Sequence, residues 1–487
     1  MNNSLMSCHS IDKYYTNTNC VLISENDDEF SCILSLTDLD NNKNRFYILQ
    51  LINDNNRFIL YRRYGRIGEE GKTMIKSYCK LNDGKNEFKK QFKHKTKNEW
   101  ITKHKFQNKN GYIYNKIEVN NVDKIKNSMD IKSILPDDIQ EFIKMISNPE
   151  MIMGSLSELK FDITKLPFGK ISDEQIENGK SVLHKIKMKL VNNESTEKTF
   201  TDFTKLFYHY LPYVCGRKKP PVINNILLVE QLQNDIEYIY NIQQALNIIS
   251  SNNITEHPLD SAYNNINAKI TPLNKSSSMW GILSEYLINT HGPTHKFSLN
   301  LVNILEIENN MNKSFNTPTK HTQHTQLLFH GSRMCNWCSI IKNGFVLDPS
   351  MLEVHITGKM FGYGLYFTNS SSKSAQYCGL QNGQDGRVCL LLAEVNVGTE
   401  CKKMCADPYI NKNIIEKKQY KSVWGQGKLT PKSGITIGDE NNGMYIPNGK
   451  LKRSSVNSVL IYDEKVVYSL DQIQPRYIMI LDLKWNK

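Results

Sequence analysis

The apolar residues change their spacing twice along the 487 residues, and those changes limit what the chain can fold into more than any single motif does. From about residue 10 to 115 they alternate. "RFYILQLINDNNRFILYRRYGRIGEEGK" sets apolar and polar residues in turn around Asn and Gly, the pattern of antiparallel strands joined by short turns. The spacing then becomes helical in "NEFKKQFKHKTKNEW", with Phe88, Phe92 and Trp100 on one side and lysines on the other. A small sheet carrying one helix is expected.

Between about 130 and 250 the spacing stays helical. Pro136 opens a helix with Asp137 and Asp138 in its first turn and Ile139, Phe142, Ile143 and Ile146 on one face. Ser172 followed by Gln175 makes a capping box before Ile176, Val182, Leu183 and Ile186. Phe200, Phe203, Leu206, Phe207 and Tyr210 form another stripe, and "LVEQLQNDIEYIYNIQQALNII" supplies a long last helix. All these stripes read as core packing. From "HPLD" at 257–260 strands return in "KFSLNLVNILEIE", "RVCLLLAEVNV", "SVLIYDEKVVY" and "RYIMILDLKW", with a helix around Trp280 to Leu287 and a polar loop, "NNMNKSFNTPTKHTQHTQ". The fold class is therefore α+β: a small β-sheet plus helix over 10–115, an all-α helical bundle over 130–250, and a mixed β-rich domain over 257–487.

The formal net charge is +12, and "FKKQFKHKTK" at 88–97 reads either as a phosphate-contacting cluster or as a solvated helix face. The N-terminus has no basic start before an apolar core, and no later stretch is apolar for long enough to span a bilayer. An intracellular, soluble protein is expected, with its eleven cysteines reduced. Cys335 and Cys338 form a C-x-x-C, but Cys401 and Cys405 are too widely spaced for the usual zinc knuckle, so no metal is expected.

The third block carries the chemistry. "LLFHGSRMCNWC" runs a strand into His330, Gly331 and Ser332, which read as a plain turn or as the wall of a site. Glu464 lies among apolar residues in "VLIYDEKVVY", where an ionised carboxylate is costly without a partner; it faces a cleft, lies on an edge, or pairs with Lys465. In "GKMFGYGLYFTNSSSKSAQYC" the glycines permit close backbone approach, Tyr366 falls in a short strand, and the Ser-rich stretch caps a helix presenting Ser374 and Tyr377. Two tyrosines, a hydroxyl and the backbone of Gly331 suit a flat aromatic amide, with rings on its faces and polar groups on its carboxamide. No P-loop or Rossmann G-x-G-x-x-G is present.

"HGSR", "MFGYGLYFTNSSSKSAQYC" and "IYDEKVVY" together resemble the catalytic domain of the poly(ADP-ribose) polymerases, with their His, Tyr and Glu signature. The first block resembles the Trp-Gly-Arg domain of the DNA-break-activated members. The middle block, with "PFGKI" at 167–171, resembles their helical regulatory domain. The likeness is to the short members without zinc fingers, and no zinc-finger pattern occurs here. It implies an enzyme with NAD+ as substrate, in which His330, Tyr366 and Glu464 are catalytic. His330 would bond ribose hydroxyls on the adenine or nicotinamide side. Gly331 and Ser374 would clamp the carboxamide, and Tyr366 and Tyr377 would pack on the ring. Ser332, Asn336 and Lys373 complete the NAD+ contacts, with Ser332 and Asn336 near the adenosine, while Met360 and Tyr462 lie on the acceptor side.

The resemblance further implies a nuclear protein that binds DNA strand breaks bearing a 5′-phosphate and modifies itself together with chromatin and repair proteins. Tyr64 and Arg66 would meet DNA and relay its binding, and Asp235 would block the NAD+ site until then. Several residues depart from the family pattern: Tyr64 in place of the Trp, Val346 and Lys359 on the adenosine side, and Asp463 and Lys465 beside the glutamate. Three activities stay open: a polymerase, a transferase that stops after one unit, and an inactive DNA-end binder.

Overall fold

Alternation and helical spacing become sheets and helices for the most part where the sequence puts them, but the strand expected over 458–468 forms only at Glu464–Val467, with Val459 and Ile461 exposed before it. The computed structural model describes residues 11–17, 20–25, 28–55, 57–101, 111–115, 132–148, 151, 171–192, 196–250, 256–308, 324–345, 347, 360–380, 383–438 and 443–486. Val346, Lys359, most of "PFGKI" and the polar loop over 309–323 lie outside them. Contacts group the chain into two units, one of Met1–Asn121 with Met153–Gln243 and one of Val122–Ile152 with Gln244–Lys487.

In the first unit, antiparallel strands follow the order Lys72–Tyr78, Arg57–Arg66, Lys43–Asp54, Ser31–Asp38, Ile113–Asn115, and Cys20–Leu22 pairs with Lys43–Asp54. The helix Leu81–Thr96 lays Phe88 and Phe92 onto Leu49, Leu51 and Leu60, and Trp100 closes that core. Lys89, Lys90 and Lys93 stay outside because the buried positions recur at helical spacing, while Lys85 and Lys95 are half-buried at the edges of that face. The helix Asp173–Val191 begins with the expected capping box, Ser172 Oγ accepting from the Gln175 N–H at 3.1 Å and Gln175 Oε1 from the Ser172 N–H at 3.0 Å. The helix Glu197–Tyr210 is tied to the sheet by His209, whose Nδ1 lies 2.8 Å from Ser35 Oγ.

The two-unit boundary falls inside the helical block. The helix Asp137–Ile146 packs in the second unit, against the helix Pro258–Ile266 and the short turn Met334–Asn336. Its buried face is the one the sequence shows, and it is secured by the Ile134 N–H donating to Asp260 Oδ2 at 3.0 Å and by the Cys338 thiol donating to the Ile146 carbonyl at 3.3 Å. Periodicity shows that a face is buried but not which neighbour covers it.

The rest of the second unit holds two main sheets. The larger runs Ile435–Ile437, Met444–Ile446, Thr325–Gly331, Gly386–Asn396, Ile473–Trp485, Phe297–Glu308, Lys269–Pro272, and the helix Ser278–Asn289 packs Leu283, Tyr286 and Leu287 into its core. The smaller runs Leu365–Phe367, Glu464–Val467, Ser422–Gly425, Glu400–Lys403. The fold is α+β. No helix among the described residues is long and apolar enough to cross a membrane.

Burial alone pushes the pKa of His209 down to about 3. Its unfolded value is about 6.5, so between these limits the unfolded state binds the proton and stability falls as pH falls. Urea unfolding should lose up to about 1.4 kcal/mol per pH unit from this group in that window. In His209→Asn that share of the slope should be absent.

Candidate active site

A cleft opens where the two sheets of the second unit meet. The Phe329 N–H donates to the Thr368 carbonyl at 2.8 Å and the Thr368 N–H returns the bond to the Phe329 carbonyl at 3.0 Å. Around this bridge lies a cavity of about 290 Å³, and among its lining residues are His330, Gly331, Met360, Tyr366, Lys373, Ser374, Tyr377 and Glu464. Eight of the residues singled out from sequence therefore share one wall.

His330 ends the strand Thr325–Gly331 with its ring edge-on to Phe345 and tilted against Phe367. Its Nδ1 donates to the Tyr366 carbonyl at 3.0 Å, which leaves Nε2 as the accepting nitrogen. Burial lowers the imidazole pKa and the bond to Tyr366 opposes that only in part, so the ring is neutral at neutral pH. Gly331 is required by proximity: a Cβ there would lie 1.9 Å from the Ser374 carbonyl oxygen. Ser374 comes from the short helix Ser371–Ala375, and its buried Oγ has no hydrogen-bond partner. A buried hydroxyl left unpaired beside exposed backbone is a vacancy that a carboxamide satisfies.

Tyr366 offers its ring. Its hydroxyl accepts from the Phe361 N–H at 3.0 Å and donates to the Gly362 carbonyl at 2.9 Å, and burial raises its pKa well above the usual phenol value. Tyr377 keeps 58 % of its surface exposed, with Lys373 Nζ 5.6 Å from its ring centre. Two aromatic faces and a carboxamide clamp thus occupy one cavity, and the residues present fit a flat aromatic amide.

Glu464 opens the strand Glu464–Val467 and is 8 % exposed. Its partner is Lys373, with Nζ to Oε1 at 3.1 Å, and not Lys465. Lys465 pairs with Glu400 at 2.5 Å, because successive strand residues point to opposite faces. Burial pulls the Lys373 pKa down, but Glu464 and Tyr377 outweigh it and raise the value, so the ammonium is charged at neutral pH. A fixed carboxylate in a half-closed cleft can stabilise positive charge that develops beside it.

Other residues singled out lie elsewhere. Ser332 and Asn336 bond each other, Asn336 Nδ2 donating to Ser332 Oγ at 2.9 Å, and neither lines the cavity. Tyr462 is buried and also off the lining; its hydroxyl accepts from the Thr294 N–H at 3.2 Å and its ring stacks on His295 at 4.9 Å. Asp235 is half-buried on the helix Ile226–Ser250, in the first unit. Cys335 and Cys338 are buried thiols, and among the described residues no group of three or more His, Cys, Asp or Glu is arranged to hold a metal.

Tyr64 and Arg66 are also in the first unit. Tyr64 stacks on Tyr47 at 5.8 Å, and Arg66 donates to the Asn42 carbonyl at 3.0 Å and the Lys218 carbonyl at 2.7 Å. Beside Tyr64 lies a basic, aromatic cluster of which sequence reasoning had only Lys95, within 88–97, and missed the rest: Lys95 Nζ lies 4.8 Å from the Tyr47 ring and 5.5 Å from that of Tyr112. Burial and the nearby Arg45, Arg62 and Lys97 lower the Lys95 pKa, in that order. The signal was present in the alternation, since 45, 47, 62 and 64 share a face once Tyr47 is set opposite Tyr64.

Comparison with known proteins matches residues 277–483 to the poly(ADP-ribose) polymerase catalytic domain, 133–263 to the poly(ADP-ribose) polymerase regulatory domain, and 30–107 to the WGR domain. The chain is 31 % identical over 477 residues to a poly [ADP-ribose] polymerase of Sarcophaga peregrina, covering 96 % of this chain and 47 % of that protein. It is 30 % identical over 477 residues to poly [ADP-ribose] polymerase 2 of Homo sapiens, covering 93 % of this chain and 80 % of that protein. A Drosophila melanogaster poly [ADP-ribose] polymerase is 31 % identical over 476 residues, 95 % of this chain and 47 % of its own length. The chain thus spans about half the length of the insect relatives.

Because the Ser374 hydroxyl is buried unpaired, Ser374→Ala should leave the melting temperature unchanged or slightly raised. The same change should weaken binding of free nicotinamide about threefold to tenfold, the net worth of one hydrogen bond, measured by titration calorimetry.

Proposed function

Since this chain belongs to the poly(ADP-ribose) polymerase family and carries its NAD+-dependent ADP-ribosyltransferase domain, we propose that it is a nuclear polymerase activated by DNA strand breaks. It modifies itself and other proteins, chromatin and repair proteins among them. Three functional parts divide the work: a DNA-binding part over 10–115, a helical regulatory part over 130–250 and a transferase over 257–487. The observation that carries the reading is the single cleft in which an unpaired Ser374 hydroxyl, the Gly331 backbone, two tyrosine rings and Glu464 converge. The nuclear assignment rests on the family alone.

In this reading the nicotinamide ring of NAD+ lies against Tyr366 and Tyr377, with its carboxamide on Gly331 and Ser374. The accepting Nε2 of His330 takes a hydrogen bond from a ribose hydroxyl. Breaking the bond between ribose and nicotinamide builds positive charge on the ribose, as in glycoside hydrolysis, and the Glu464 carboxylate stabilises it. Glu464 also orients the incoming hydroxyl, and Lys373 holds the carboxylate in place. Ser332 and Asn336 act toward the adenosine, and Met360 and Tyr462 on the acceptor side. On the first unit, Tyr64 stacks at the DNA end among Arg45, Arg62 and Lys95, and Arg66 passes the event to the loop it holds at Gly216 and Lys218. Asp235 is the blocking contact that DNA binding releases, a population shift between two states.

The test is transfer of labelled ADP-ribose from NAD+ by the purified chain, with and without a nicked duplex carrying a 5′-phosphate. A DNA-dependent smear of high mass is expected. A discrete DNA-dependent band would mean single-unit transfer, equal labelling without DNA would contradict the regulatory part, and no label would contradict the enzyme. Glu464→Gln should lower kcat about 10²- to 10³-fold while NAD+ affinity stays within a few fold.

A further inference from the structure

Three consecutive ionisable residues, Asp463, Glu464 and Lys465, enter one strand, and all three are buried. Only Glu464 lines the cleft. Its neighbours are turned the other way by the pleat, and each is held from several sides. Lys465 is 3 % exposed; its Nζ lies 2.5 Å from Glu400 Oε1 and 3.7 Å from the centre of the Trp424 ring. Trp424 is its cross-strand partner, and Glu400 sits one strand further out, in Glu400–Lys403. Asp463 is 1 % exposed; Oδ2 accepts from Asn369 Nδ2 at 2.8 Å and Thr430 Oγ1 at 2.6 Å, and Oδ1 accepts from the Gly427 N–H at 2.6 Å.

We propose that Lys465, through Glu400 and Trp424, is a positioning residue that fixes the strand carrying Glu464, with Asp463 as the second anchor, and that neither contacts the acceptor. This rests on the reading of Glu464 as the catalytic carboxylate. A buried ammonium on a central strand has one good place to be, within reach of its carboxylate and over the indole face. Sliding or rotating the strand by even a fraction of a residue would break both contacts, so the pair pins the residue next to it. Burial lowers the Lys465 pKa and Glu400 opposes this, which is the electrostatic side of the same tether. Among the described residues Glu464 has one ion pair, to Lys373, so its place is set by its neighbours more than by its own contacts.

The test is a double-mutant cycle with Glu464→Gln, read as kcat and KM for NAD+ in the full-length, DNA-bound protein. Lys465→Met should lower kcat about 10- to 100-fold, with KM within twofold. In the Glu464→Gln background the same change should cost nothing further, because it acts only through that carboxylate. A general structural defect would multiply the two losses, and that result, or an unchanged kcat in Lys465→Met, would overturn the proposal. If Lys465→Met does not fold, Lys465→Met/Glu400→Met removes the stranded buried charge and the tether together and should show the same loss in kcat. Turnover left unaltered by Glu464→Gln alone would instead contradict the catalytic reading on which the proposal rests.

Discussion

The cleft lies where two sheets with different partners meet at a pair of backbone hydrogen bonds, between Phe329 and Thr368. His330 and Gly331 follow the first of these residues, and Tyr366 precedes the second. The cavity lies around this bridge and is lined from both sheets, by Phe329, His330 and Gly331 of one and by Tyr366, Phe367 and Glu464 of the other. The His330 bond to the Tyr366 carbonyl repeats the join one residue on and fixes the imidazole tautomer at the same time.

Polar groups divide into those the fold has satisfied and those it has not. The Tyr366 hydroxyl has both a donor and an acceptor partner, and the Asp463 carboxylate has three donors. The Ser374 hydroxyl, equally buried, has none. Since an unpaired buried hydroxyl costs free energy, its presence at the cavity wall, beside a glycine that no larger residue could replace, is the feature that points to a ligand. The Lys373 and Glu464 pair adds a charged group held ready in a cleft of limited solvent access.

Much of this was legible from residue order. Alternation marked the strands, Ser172 with Gln175 marked a helix start, and the glycine, serine and tyrosine pattern brought most of the cleft residues together. Where the reading stopped, the cause was register and partner choice. Lys465 pairs with Glu400, 65 positions away, and not with its neighbour, because pleating separates adjacent side chains. Ser332 and Asn336 satisfy each other, and Tyr462 turns inward onto Thr294, both of which depend on distances that spacing does not contain. The helix Asp137–Ile146 shows its apolar face plainly, yet only the folded chain shows that the second unit covers it.

The most direct measurement is a crystal structure of the chain with a non-hydrolysable NAD+ analogue. The account predicts the nicotinamide ring against Tyr366 and Tyr377, its carboxamide within hydrogen-bond distance of the Gly331 backbone and Ser374 Oγ, and the ribose anomeric carbon beside Glu464. An analogue bound elsewhere, or one whose carboxamide faces solvent with Ser374 still unpaired, would contradict it.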